Sequence, residues 1–84
     1  MEKLEASLST LILSIGSSAA MSLGLAPNPS SGKTEKNIDM ARFNIDLLMV
    51  LRDKTKNNLT DDEARFLESI IADLQLRFVE ASKS

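Results

Sequence analysis

At 84 residues the chain has room for one domain, and a chain this short buries only about 60% of the surface its unfolded form exposes. It contains no cysteine and no histidine, which excludes disulfides and thiolate ligands and removes the commonest general base and the commonest metal ligand. The net charge of −2 argues against a nucleic-acid binder driven by phosphate contacts, and no basic arm or acidic tail offsets it.

The first segment predicts a helix over about 3–25. Leu4, Leu8, Leu11, Ile15 and Ser18 alternate at spacings of four and three, the helical period. Gly16, Ala20 and Gly24 recur every four residues and set small side chains on a second stripe, which another helix can approach closely. The plainer reading of that stripe is tolerance of small residues in a buried helix. The run 8–26 carries no charge and, at 19 residues, is long enough to span hydrocarbon. Six of the 19 are serine or threonine, and neither a basic cluster nor aromatic anchors flank it. A buried bundle helix is the expected form, with membrane insertion of 8–26 the alternative.

Pro27-Asn28-Pro29-Ser30-Ser31-Gly32 is the clear break, and it predicts a helix end near Ala26. With Lys33-Thr34 it reads like the end of a phosphate-binding P-loop. Proline stands where that motif needs its first glycine, Pro29 removes another amide donor, and no strand precedes it. The expectation is a turn, with Thr34 capping the next helix.

The second segment predicts a helix over about 35–56. Ile38, Ala41, Ile45 and Leu48 form one apolar stripe; Met40, Phe43, Leu47 and Val50 or Leu51 form another. Asp39, Arg42, Asp46 and Asp53 make a polar edge between them, with Arg42 at pairing distance from Asp39 and Asp46. A helix apolar on two stripes asks for neighbours on two sides, so this one is expected to be central. Lys54 and Lys56 suit the negative end of a helix, and asparagine at 57–58 tolerates the left-handed backbone that ends one.

The third segment, about 61–81, opens on Thr60-Asp61-Asp62-Glu63, which has the capping-box spacing. Asp61 and Asp62 read as first-turn charges rather than an acid–base pair. Leu67, Ile70, Ile71, Leu74, Phe78 and Ala81 form the buried stripe, with Leu76 and Val79 off it, where they could face a partner. The short link at 57–59 joins antiparallel neighbours.

Leu23-Gly24, Pro27-Asn28-Pro29 with Gly32, Ile45-Asp46-Leu47-Leu48, the stretch from Lys54 to Thr60, and Leu76-Arg77-Phe78-Val79 together resemble a small bacterial family, domain of unknown function family 1844. The resemblance covers about 8–81, and the stretch at 54–60 is its most specific piece. It differs at Asn57, where the family pattern has glycine. The resemblance implies a cytoplasmic bacterial module and brings no activity, cofactor or catalytic residue.

The sequence therefore predicts one all-α domain over 1–84. It is a three-helix antiparallel bundle, or a helical hairpin with an extra N-terminal helix, completed by self-association. The expected function is that of a non-catalytic interaction or scaffold module with no cofactor, no metal and no nucleic-acid partner. A homodimer is expected, with room for an unidentified protein partner. Leu11, Ile15, Gly16, Ala20 and Gly24 are the candidate self-association residues, because a helix apolar nearly all round asks to be buried nearly all round.

Overall fold

The structure is a computed structural model that describes residues 6–28 and 31–83. Ser7 starts the first helix: its backbone is extended, and its hydroxyl accepts the Thr10 amide at 3.1 Å. This N-cap opens α1, Leu8–Ser22. The helix expected over 3–25 is thus shorter at both ends. Of its first residues, 3–5 lie outside the described residues, and Ala6 and Ser7 are not helical.

Gly24, not Pro27, sets the other end. Gly24 turns left-handed at φ +80°, its amide donates to the Met21 carbonyl at 3.0 Å, and the Leu25 amide donates to the Ala20 carbonyl at 2.9 Å. These two bonds form a Schellman motif, whose turning residue needs the positive φ that glycine adopts without a Cβ clash.

The chain then doubles back. Leu23 and Lys36 form an isolated antiparallel bridge, and the Asn37 amide donates to the Ser22 carbonyl at 2.7 Å. Extended backbone at Lys36 delays the second helix, so α2 runs Ile38–Lys54 rather than over 35–56. Its N-cap is Asn37, whose side-chain oxygen accepts the Met40 amide at 3.1 Å, and not Thr34 as expected. At its end the Thr55 hydroxyl donates to the Leu51 carbonyl at 2.6 Å, and Asn57 reverses the chain at φ +70°. Asparagine is among the few residues with a Cβ that adopt this left-handed backbone readily.

The expected capping box is formed in full. The Glu63 amide donates to the Thr60 hydroxyl at 3.1 Å, and the Thr60 amide donates to the Glu63 carboxylate at 2.9 Å. From it grows α3, Asp61–Lys83. Arg52 lies 3.7 Å from Glu68, Gln75 donates to the Met49 sulfur, and the Lys36 ammonium donates to the Ala81 carbonyl at 2.8 Å. Partners advance along α3 as they retreat along α2, so these two helices are antiparallel.

The core is formed by Ile12, Ala19 and Leu23 from the first helix and its cap, Ala41, Ile45 and Leu48 from α2, and Leu67, Ile71 and Leu74 from α3. The stripe expected on the first helix is displaced: Ile12 and Ala19 are buried, Leu8 and Ile15 pack at the edge, and Leu11 is exposed. A helix that touches two neighbours turns the line between its stripes inward. Arg42 forms neither expected pair; among the described residues the ion pairs are Arg52 with Asp53 and Glu68, and Arg77 with Asp73. All are solvent-facing, where each is worth about 0–1 kcal/mol.

The envelope is flat, 37 × 36 × 16 Å. All three helices touch one another, so α2 is not singled out as the central element expected, and only its first stripe is covered; Met40, Phe43, Leu47 and Val50 stay exposed. Nor does the uncharged run 8–26 form one long helix. The 15 residues of α1 rise about 22 Å, against roughly 30 Å of hydrocarbon. No helix among the described residues is long and apolar enough to cross a membrane.

Two substitutions test the link between α2 and α3. Thr60→Ala removes one half of the capping box and lowers the unfolding free energy by about 0.5–2 kcal/mol in urea denaturation. A curve that superimposes on the wild type's refutes the capping role. At Asn57, alanine costs about 1 kcal/mol in the left-handed backbone while glycine leaves stability unchanged or raises it; equal losses from both variants contradict that geometry.

Candidate functional site

The five residues singled out for self-association do not share one surface. Gly16 faces α3: a Cβ built there meets the Ile70 side chain at 3.4 Å. Ala20 and Leu13 line the same shallow groove with Ile70 and Leu74. The small residues thus sit where α1 approaches α3 within one chain. Gly24 lies beyond the helix, in the Schellman turn, with Lys36 and Thr34 as its neighbours. Ile15 packs at the edge of the core, and Leu11 alone of the five is open to solvent.

The Pro27–Thr34 region closes on itself. The Asn28 amide donates to the Lys33 carbonyl at 2.9 Å and the Gly32 amide to the Asn28 carbonyl at 2.7 Å. Those two amides point at the loop's own carbonyls, away from any common anion site. Lys33 and Thr34 precede α2 by an extended stretch instead of opening it, as a P-loop requires. Pro29 and Ser30 lie outside the described residues.

A polar cleft of about 310 Å³ lies between the end of α1, this loop and the start of α2. Ser22 donates to the Ser18 carbonyl, Asn37 accepts the Met40 amide, and the buried Asn44 donates to the Met40 carbonyl. The local backbone therefore occupies these side chains. Among the described residues no group of three acidic, histidine or cysteine side chains is placed to hold a metal ion.

What remains is apolar surface. Along the outer side of α2, Met40, Phe43, Leu47 and Val50 recur at spacings of three, four and three, with exposures of 46%, 54%, 36% and 53%. Four large side chains in line form one contiguous patch rather than singly scattered exposure. A second apolar area lies in the groove between α2 and α3, floored by Ile45, Met49, Phe78 and Val79 and rimmed by Arg42 and Asp46. Leu76 and Val79 are exposed, as expected of residues off the buried stripe.

The sequence names the stripe on α2 but assigns it to a neighbour inside the bundle. The available signal was that Arg42 and Asp46 sit next to Phe43 and Leu47, so the turn between the two stripes carries charges. Only one stripe can then face the interior of so small a chain.

A family model described as Domain of unknown function (DUF1844) matches residues 5–80. No curated protein and no solved structure matches the chain.

The position of Gly16 has a measurable consequence. Gly16→Ala fits at ordinary contact distance and gains helix propensity, so stability holds or rises by up to about 1 kcal/mol. Gly16→Leu drives α1 from α3 and costs about 1–3 kcal/mol. In thermal melts that loss is the same at low and high protein concentration, because the contact lies within one chain. A loss that appears only at high concentration places Gly16 between chains instead.

Proposed function

The chain belongs to the DUF1844 family, whose description names no activity, and we propose that it is a non-catalytic helical interaction module that works as a self-associated unit. The exposed apolar stripe on α2 carries this reading. The single chain leaves four large side chains in water along one helix face, while its core holds only nine buried apolar residues among those described. A thin core of this kind commonly gains stability from a second copy. A two-fold homodimer is the simplest closed form, because the same patch serves both copies.

The rest of the reading follows from chemistry. The absence of histidine and cysteine and the local use of the polar groups around the cleft support a role without catalysis, metal or cofactor. The net charge of −2 supports a protein rather than a nucleic-acid partner. Action in a bacterial cytoplasm accords with the absence of cysteine and with the family resemblance. A further protein that docks on the assembled module fits the groove between α2 and α3.

Sedimentation equilibrium on the wild type tests the proposal. The expected result is a reversible dimer with a melting temperature that rises with protein concentration. A folded monomer at high micromolar concentration refutes self-association. Millimolar ATP or GTP shifts the melting temperature of neither wild type nor Lys33→Ala, and the variant stays within about 0.5 kcal/mol of wild type. A nucleotide-dependent shift that Lys33→Ala abolishes restores the P-loop reading.

A further inference from the structure

We infer that the stripe Met40, Phe43, Leu47 and Val50 is the seam itself, where α2 of one chain packs antiparallel against α2 of a second copy about a two-fold axis beside residue 45. This inference rests on the self-association reading and places it on α2, away from the stripe of small residues on α1.

Three observations commit the seam to a second copy. The first is its pattern. The spacings of three, four and three read the same in both directions, so a reversed copy presents the same ridge. A two-fold interface requires this property, because residue i must meet j while j meets i. Reversal about residue 45 sets Phe43 against Leu47 of the second copy and Met40 against Val50, twice each.

The second is area. With the exposures above, the patch offers roughly 350 Å² of apolar side chain. A stable homodimer buries about 800 Å² on each partner, about 65% of it apolar. The patch therefore supplies roughly two-thirds of the apolar share, and the apolar stems of the long side chains that flank it on α2 add to it.

The third is charge. Asp39 stands in the first turn of α2, and Arg52 and Lys54 stand in its last. Lys36 is turned to α3, where it donates to the Ala81 carbonyl. Antiparallel packing brings Asp39 toward Lys54 of the other copy and sets the helix dipoles head to tail. Parallel packing sets the two dipoles side by side in the same direction.

A charge exchange tests the seam and its direction together. Phe43→Glu and Leu47→Lys are made singly; both positions are solvent-exposed helix sites, and circular dichroism melts confirm that each variant folds. Each single variant leaves a charge in an apolar seam and weakens the dimer by about tenfold or more in sedimentation equilibrium. Mixed in equal amounts, the two variants recover a heterodimer within about threefold of wild type. In that pair the introduced carboxylate meets the introduced ammonium, and the second crossing keeps its native phenylalanine and leucine. If wild type dimerises but neither single variant weakens it, the seam is elsewhere and self-association stands. If both weaken it and the mixture stays weak, the antiparallel pairing is wrong. A monomeric wild type, including one that instead partitions onto phosphatidylcholine vesicles, overturns the seam together with self-association.

Discussion

The hydrogen bond from the Asn37 amide to the Ser22 carbonyl joins the end of α1 to the beginning of α2, and much of the arrangement follows from it. It fixes the antiparallel register of the first two helices, so that Ile12 and Ala19 come to share a core with Ala41, Ile45 and Leu48. One residue earlier, Lys36 pairs through its backbone with Leu23 and through its ammonium with the Ala81 carbonyl near the end of α3. That carbonyl lies in the last turn, where a helix has no partner of its own for its acceptors. Two adjacent residues thus tie all three helices together at one end of the molecule.

From that end the helices run as a slab. The envelope is only 16 Å thick, and α1 also touches α3, so each helix has two neighbours and α2 has none on its outer surface. In a slab, a helix with two apolar stripes can bury one against its neighbours and must leave the other to solvent or to another molecule. The largest share of the exposed apolar side chains thus falls on α2, although the composition of the first helix, nearly free of charge, makes α1 the obvious candidate.

The parts of the fold that were legible in the sequence are those decided locally. The capping box at Thr60 and Glu63 depends on four consecutive residues, and the left-handed turn at Asn57 on one residue's tolerance of positive φ. The three helices and their buried stripes on α2 and α3 follow from period alone. What was not legible depends on which face finds a neighbour. The repeat of Gly16, Ala20 and Gly24 mixes two roles: the first two provide room for α3, while the third provides a backbone torsion beyond the helix end. Spacing cannot separate room from torsion. Likewise, the period of α2 reveals two apolar stripes but not that the second would lie on the open side of a slab.

The two connections differ in how much length they can absorb. Between α2 and α3 the chain turns through six residues, 55–60, that contain both a left-handed asparagine and a cap tied to the first turn of α3, so an added residue breaks one of them. Between α1 and α2 the ends are already joined by the Ser22–Asn37 bond and the Leu23–Lys36 bridge, and Asn28 is bonded to Lys33 within. Residues inserted between 28 and 33 enlarge a loop whose base is fastened elsewhere. Closing a flexible loop costs only about 0.6 kcal/mol more for each doubling of its length. Variation in length is therefore accommodated at the tip of the first connection, where an added segment or a fused peptide can project without shifting any helix, while the second connection holds its length.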